Sequence, residues 1–544
     1  MNSQHMQDEV WGTKGTALVA GIWSDPYEAV SPSVYETARL VTLVPWLTGH
    51  SQRVRFLLER QHPDGTWGAA GGYCLVPTLS ATEALLTCLR RKQNGDAEAA
   101  GHGDLVRATD RGLRALFGRL GRSPQILLPD TIAAEIVIPA LVARINAHLD
   151  SLGSQPVTGL DVWGGTGRLL LPHGVDPDLL SRLRHAVDQG QVPPPKLLHS
   201  LEVLGPAARG APFVAPVLGA VGCSPAATAA WLTHRTAHPS FDYLHTVQHR
   251  GGGPVPGITP ITFFEWAWVL TALTTAGCPV RIPEGLVSSL HSAFDESGIP
   301  AAPGLPPDSD DTAAALCVLA ELGSPRSPDC LFAYQLDTHF SCFPGERTPS
   351  ISTNAHVLQA FGTCLGHEAD GRARREAAIT TISQWIRDRQ DNTGSWTDKW
   401  HASAYYATVC CATALHRYDR DASAIAVHRA VSWLLESQHE DGSWGRWGGT
   451  DEETAYAVQT LVHTHADRPN IAAEQATARG YEFLRRRTPP REYPPLWHDK
   501  DLYAPIRVIQ AEIVAARQLA RSHPPVATLI RQRGAGKPRS AQTG

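Results

Sequence analysis

Apolar positions along this chain recur at helical spacing and stop at the same kind of turn three times. In "RVRFLLERQHPDGTWG" (53–68), "TTISQWIRDRQDNTGSWT" (380–397) and "RAVSWLLESQHEDGSWG" (429–445) an amphipathic run ends in Gln and is followed by Gly-x-Trp. The pairs are Gln61 with Trp67, Gln390 with Trp396 and Gln438 with Trp444; the last two copies lie 48 residues apart. After each turn a second helical run begins, rich in Ala, Leu and Thr: "TLSATEALLTCLRR", "ASAYYATVCCATALHRY" and "EETAYAVQTLVHTH". The repeated unit is therefore helix, turn, helix. Gly permits the turn, Trp covers a helix end with a large apolar face, and the Gln amide can tie backbone groups across the turn. One such unit buries little, so stacked hairpins must close a common core; two concentric rings of helices give an α-barrel with a pocket at one end. No long run alternates strictly in the manner of a strand. The expected fold class is all-α.

Composition agrees with a globular protein: 544 residues, 42% hydrophobic and 19% charged. Pro and Gly gather in connections such as "GQVPPPK", "RGGGPVPGITP", "GIPAAPGLPPDS" and "RRRTPPREYPP". A net charge of −5 without an internal basic run offers no field for nucleic acid or anionic lipid. The opening residues lack a signal-peptide pattern, and their apolar patch is too short to span a bilayer, so a cytoplasmic protein is expected without stable membrane insertion. The polar, basic "RQRGAGKPRSAQTG" ending predicts a disordered tail over 521–544.

The ten cysteines include no C-x-x-C pair and sit mostly in apolar helical runs, as free thiols do. Among 24 histidines there is no H-E-x-x-H, and single ones such as His356 and His401 read as hydrogen-bonded structural residues. Metal held by protein side chains alone is not expected, and no metal ligands can be named. One stretch stands apart. "GLPPDSDDTAAALCVLAELG" (304–323) crowds Asp308, Asp310 and Asp311 into the mouth of an apolar helix. A single Asp there is an ordinary N-cap that suits the helix dipole, but three exceed what a cap needs.

The Gln…Gly-x-Trp repeats combined with Asp-x-Asp-Asp resemble the class II terpene cyclases, the relatives of squalene-hopene cyclase that start cyclisation by protonation. "LLHSLE" (197–202), "GGGPVPGITPITFFEWAWVL" (251–270), "SISTNAHVLQAF" (350–361), "DKWHASAYYAT" (398–408) and "GTDEETAYAVQTL" (449–461) sharpen the resemblance toward bacterial cyclases of linear prenyl diphosphates, of the copalyl or drimenyl diphosphate synthase kind. It implies two α/α-barrel domains, called βγ, with γ inserted after the first helix of β. The expected boundaries are 1–49 and 284–520 for β, carrying the acidic motif, and 50–283 for γ.

An alkene is a very poor base, so protonating it demands an undissociated acid in a site that excludes water. Crowded, buried carboxyls resist ionisation and meet that demand. By resemblance Asp310 is the proton donor, held and tuned by Asp308 and Asp311. Aromatic faces can stabilise the carbocation without trapping it; the family-like stretches nominate Trp266, Trp268, Phe340, Phe343, Trp400, Tyr405, Tyr406 and Trp497. In plant relatives that make ent-copalyl diphosphate, a His and an Asn cooperate in the terminating deprotonation. His199 matches the His, whereas Gly257 stands where the Asn would.

The diphosphate must be held and not cleaved, and the chain contains no DDxxD of the ionising synthases. The resemblance points to Lys399 as the cation for it, with Arg250 and Lys196 as further candidates, to magnesium as the diphosphate's counterion, and to a separate downstream enzyme for the cyclised product. Geranylgeranyl diphosphate giving a copalyl-, halimane- or clerodane-type bicyclic diphosphate is the leading expectation. Farnesyl diphosphate giving drimenyl diphosphate, squalene-hopene-type cyclisation, and a non-catalytic helical-repeat scaffold are the alternatives.

Overall fold

Six helices of the C-terminal half close into a ring, each packed on the next and the last on the first: Thr262–Thr275, Ser309–Glu321, Ile351–Cys364, Ala404–Tyr418, Asp451–His465 and Ile506–Ser522. Their small Ala, Thr and Ser side chains explain the close approach, and Ser309 to Ala320 are buried on every face. Helices Arg372–Arg387, Arg420–Glu436 and Ile471–Arg486, more polar on one side, pack outside the ring. In the front half a smaller ring joins Val34–Leu43, Leu75–Gln93, Ala134–Leu152, the 3-10 segment Pro195–Ala208 and Pro225–Trp231. This computed structural model describes residues 3–535 except 26, 28–29, 94–99, 122–127, 234–237, 366–370, 466–468 and 488–491.

The three Gly-Trp turns share one geometry. Each Trp is fully buried and donates its indole N–H to a helix-end carbonyl, Leu57, Ile386 or Leu434, at 2.7–2.8 Å. Each Gln amide donates both within its turn, to Gly65, Gly394 or Gly442, and to the following outer helix, at Ala108, Ala426 or Ala476. The turn glycine is left-handed in all three, with φ of +86°, +100° and +91°.

Two separate apolar cores make the two units distinct. One spans Tyr35 to Ala227; the other takes Val19 and Ile22 together with Ile261 to Val526. The first helix, Ser3–Ser24, thus belongs with the C-terminal barrel, as an inserted domain requires. The crossings fall elsewhere than expected from sequence. Helix Val34–Leu43 contributes Tyr35, Ala38 and Val41 to the front core, and helix Thr262–Thr275 contributes Trp266 and Trp268 to the rear one. The boundaries near 49 and 283 therefore move back to the segments around 25–33 and 251–260. The Pro- and Gly-rich "GGGPVPGITP" run is itself the return crossing, where Ser33 donates to the Val255 carbonyl at 2.9 Å.

Two more features differ from the sequence reading. Part of the expected disordered tail is helix Pro524–Ala535, held because Val526, Leu529 and Ile530 pack on the rear core; residues 536–544 lie outside the described ones. Two short antiparallel strands, Trp497–His498 and Leu502–Tyr503, carry the tip residues 499–501 into the seam between the barrels.

Candidate active site

A cavity of about 330 Å³ opens at that seam, walled by both units. The three aspartates line it from the N-terminus of helix Ser309–Glu321, and the structure divides their labour. Asp308 is the N-cap: its Oδ1 accepts from the backbone N–H of Asp310 at 2.9 Å and of Asp311 at 2.8 Å. Asp310 is turned instead toward His356, whose Nδ1 lies 2.7 Å from its Oδ1. Asp311 is hydrogen-bonded to Asp308 through its side chain and leaves its Oδ1 unpartnered. Burial first, and the neighbouring carboxylates next, push Asp311 well above the usual carboxylate range. Burial likewise lifts Asp308 to about 7, against the backbone N–H groups that favour its charge. So one carboxyl caps, a second retains its proton, and Asp310 presents an oxygen without a hydrogen-bond partner among the described residues.

His356, read from sequence as structural, is the partner of the motif's middle acid. Burial alone would lower its pKa, but the adjoining Asp310 carboxylate, followed by Cys410, carries it well above the ordinary value. An imidazolium donating to Oδ1 of Asp310 would strengthen that acid and hold the carboxylate left behind. The sequence signal existed, since His356 lies in the quoted "SISTNAHVLQAF", but nothing local shows that the Asp310 and His356 helices are neighbours.

Of the eight nominated aromatics, Phe343, Trp400 and Trp497 line this cavity. Trp268 and Tyr406 stand behind them, joined by an indole-to-hydroxyl hydrogen bond of 3.2 Å, with Tyr406 stacked on His401 and both facing a second cavity inside the barrel. The other three point away. Trp266 donates to the Ile22 carbonyl at 2.9 Å and packs on Trp23, Phe340 is sandwiched near Phe332 and Phe361, and Tyr405 packs on Trp433. A helix turns about 100° per residue, which sends the consecutive Tyr405 and Tyr406 rings to different neighbours, Trp433 and His401. Two lining rings escaped the sequence reading: Phe264, which sits four residues before Trp268 on one helix face, and Tyr503, which pairs with Trp497 across the strands.

Cations gather at the cavity mouth. Lys399 binds Glu346 and the Thr348 carbonyl, the latter at 2.6 Å, and lies 4.9 Å from the Trp400 ring centroid. Lys196 and Arg347 line the same mouth, and Arg347 had not been singled out. Arg250, by contrast, is bound to Asp25 at 2.8 Å away from the cavity, because it belongs to the helix end before the return crossing. Asp130 and Glu135 supply carboxylates on the front-barrel wall. No group of three or more metal-ligating side chains occurs among the described residues. His199 also lines the cavity, with Nδ1 2.7 Å from the Gly222 carbonyl and Nε2 2.7 Å from Oδ1 of Asp499. All ten cysteines are free, and no described helix is long and apolar enough to cross a membrane.

Comparison with known proteins agrees with this geometry. Residues 347–490 match the model of the squalene-hopene cyclase C-terminal domain. The chain is 48% identical over 509 residues to ent-copalyl diphosphate synthase of Streptomyces sp. (strain KO-3988), covering 91% of this chain and 94% of that one. It is 40% identical over 516 residues to copalyl diphosphate synthase of Streptomyces cyslabdanicus, covering 93% and 95%. Among solved structures, ent-copalyl diphosphate synthase from Streptomyces platensis superposes with a TM-score of 0.88 at 45% identity, covering 94% of this chain and 99% of that one. With an α/α double barrel, the acidic triad at its seam and similarity across nearly its whole length, the chain belongs to the bacterial class II terpene cyclases related to copalyl diphosphate synthase.

Proposed function

We propose that the protein protonates the terminal alkene of geranylgeranyl diphosphate and closes it to a copalyl-type bicyclic diphosphate, with the diphosphate retained. The observation that carries this reading is Asp310, bonded from behind by buried His356, lining an aromatic-walled cavity whose mouth is cationic. Asp310 gives its proton to the alkene carbon while His356 holds the carboxylate that forms, and Asp308 with Asp311 keep the surroundings acidic. Phe343, Trp400, Trp497 and Phe264 face the cations with ring faces and no nucleophile. The names of the similar synthases support the C20 chain length and the product class.

Lys399, Lys196 and Arg347 bind the diphosphate. Asp130 and Glu135 are hard oxygen donors at the same mouth, which fits magnesium bound jointly by protein and substrate; when bound, the metal neutralises diphosphate charge. The product is still an activated diphosphate, so a separate enzyme that ionises or hydrolyses it completes the sequence. The test is incubation of purified protein with geranylgeranyl and farnesyl diphosphates and magnesium, phosphatase treatment and mass spectrometry, beside Asp310→Ala. A bicyclic alcohol from the C20 substrate, absent with Asp310→Ala, is the expected result; unchanged prenyl alcohols from both substrates would refute the reading.

A further inference from the structure

His199 is the residue that resemblance nominates to end the reaction, but its ring has no nitrogen to spare. A carbonyl accepts and never donates, so Nδ1, 2.7 Å from the Gly222 carbonyl, carries a hydrogen. Nε2 is 2.7 Å from Oδ1 of Asp499 and is occupied by that contact whichever partner holds the proton. Burial would lower the His199 pKa, yet the Asp499 charge raises it overall; burial would raise Asp499, yet His199 lowers it. Both ring nitrogens and Oδ1 of Asp499 are thus engaged whichever partner holds the shared proton, and the basic position left on the pair belongs to the acid.

That position is Oδ2 of Asp499. It is buried and has no hydrogen-bond partner, a costly condition for a carboxylate oxygen unless something else uses it. Asp499 lines the cavity together with the acidic triad, and the field of its charge reaches Tyr503, which also feels Asp311. Gly257 adjoins it: a Cβ there would stand 2.6 Å from Oδ2. The absent side chain is what gives the carboxylate its place. Resting on the function proposed above, we propose that Asp499 is the catalytic residue that removes the terminating proton, with His199 as its positioning residue and Gly257 as the vacancy that accommodates it.

In this step Oδ2 takes a proton from a carbon next to the final cationic centre. The C–H electron pair becomes the new C=C bond, and Asp499 is left as a neutral acid. Asp310 has given one proton and Asp499 has gained one, so the protein as a whole is unchanged and exchange with solvent resets both. No oxidant or further reactant is needed. Ion pairs of Lys500 with Glu36 at 2.5 Å and with Glu202 at 3.0 Å fix the strand tip that carries Asp499.

The experiment compares products, not only rates, for wild type, Asp499→Asn, Gly257→Ala and His199→Gln with geranylgeranyl diphosphate. Asp499→Asn keeps size and can still bond His199, but it cannot accept the proton. Expected is continued consumption of substrate with at least half of the product diverted to hydroxylated or double-bond-shifted bicyclic diphosphates. Gly257→Ala, which displaces Oδ2, should divert product in the same sense to a smaller degree, and it decides the matter if Asp499→Asn does not fold. His199→Gln should divert product less than Asp499→Asn. An unaltered product from both Asp499→Asn and Gly257→Ala, with only slower turnover, would overturn the assignment. Wild-type protein that consumes neither prenyl diphosphate has a different signature and would refute the function itself, and the assignment with it.

Discussion

Asp310 and His356 meet at 2.7 Å across two adjacent inner helices, Ser309–Glu321 and Ile351–Cys364, and both side chains are almost wholly buried. On the function proposed above, the contact gives His356 the role of strengthening Asp310 as an acid. His356→Phe should keep the edge contact with Trp268 yet lower kcat by about 10²–10³-fold with a small change in KM, since the lost interaction acts in the transition state. Asp310→Asn should fall to background. Steady-state kinetics on both variants check this; an unchanged kcat for His356→Phe would remove the role.

Buried carboxyls make the protein's pH response unusual. Asp308, Glu36, Glu265 and Glu512 are each raised by burial to about 7. A folded-state pKa above the unfolded one means that the native state binds more protons between about pH 4.5 and 7. Stability from these groups is full below that window and is lost as pH rises through it. Between about pH 5 and 7.5 the melting temperature should therefore fall, and above that range it should level off. Glu512→Gln, whose oxygen can still accept from Gln459, should recover about 2 kcal/mol at pH 8 and almost nothing at pH 5. Activity should decline over the same range, because ionised Asp308 adds charge beside Asp310 and weakens it as an acid. Melting curves across pH on both proteins decide it.

The fold class and the acidic motif were legible in the sequence because each is written locally, in helical periodicity with three matching turns and in four consecutive residues. The domain crossings were not. Helices Val34–Leu43 and Thr262–Thr275 look alike in either barrel, and only packing partners assign them. The same limit explains the aromatic wall: Trp266, Phe340 and Tyr405 share the composition of the lining rings but not their direction. Asp499 and Arg347 were missed for a third reason. Each is an unremarkable charged residue in a loop, and its place in the site comes from a contact or a cavity wall that other segments supply.

The diphosphate reading separates two lysines from an arginine. Lys399→Gln and Lys196→Gln should each raise KM about tenfold or more, with kcat less affected, because a held but unreacting group contributes mainly uniform binding. Arg250→Gln should match wild type, since its guanidinium is committed to Asp25 outside the cavity. Initial-rate kinetics over substrate concentration distinguish these outcomes. A raised KM in Arg250→Gln with none in Lys399→Gln would relocate the diphosphate site.

The Gly-Trp turns bear on stability without touching chemistry. Gly394 has φ of +100°, and a Cβ placed there would stand 2.4 Å from the Arg429 carbonyl. Backbone cannot give way as a flexible side chain can, so Gly394→Ala combines a disfavoured left-handed conformation with displacement of helix Arg420–Glu436. Displacing that helix also breaks the Gln390 bond to Ala426, which is 2.8 Å long. The expected loss is about 2–4 kcal/mol, within the range of strain combined with a broken buried hydrogen bond. Gly323→Ala supplies the contrast: its φ is +75°, but no atom lies within 4 Å of the added carbon. Only the conformational cost remains there, on the order of 1 kcal/mol. Denaturant unfolding of the two variants should show the larger loss at Gly394, and equal losses would mean that the close approach to Arg429 contributes nothing.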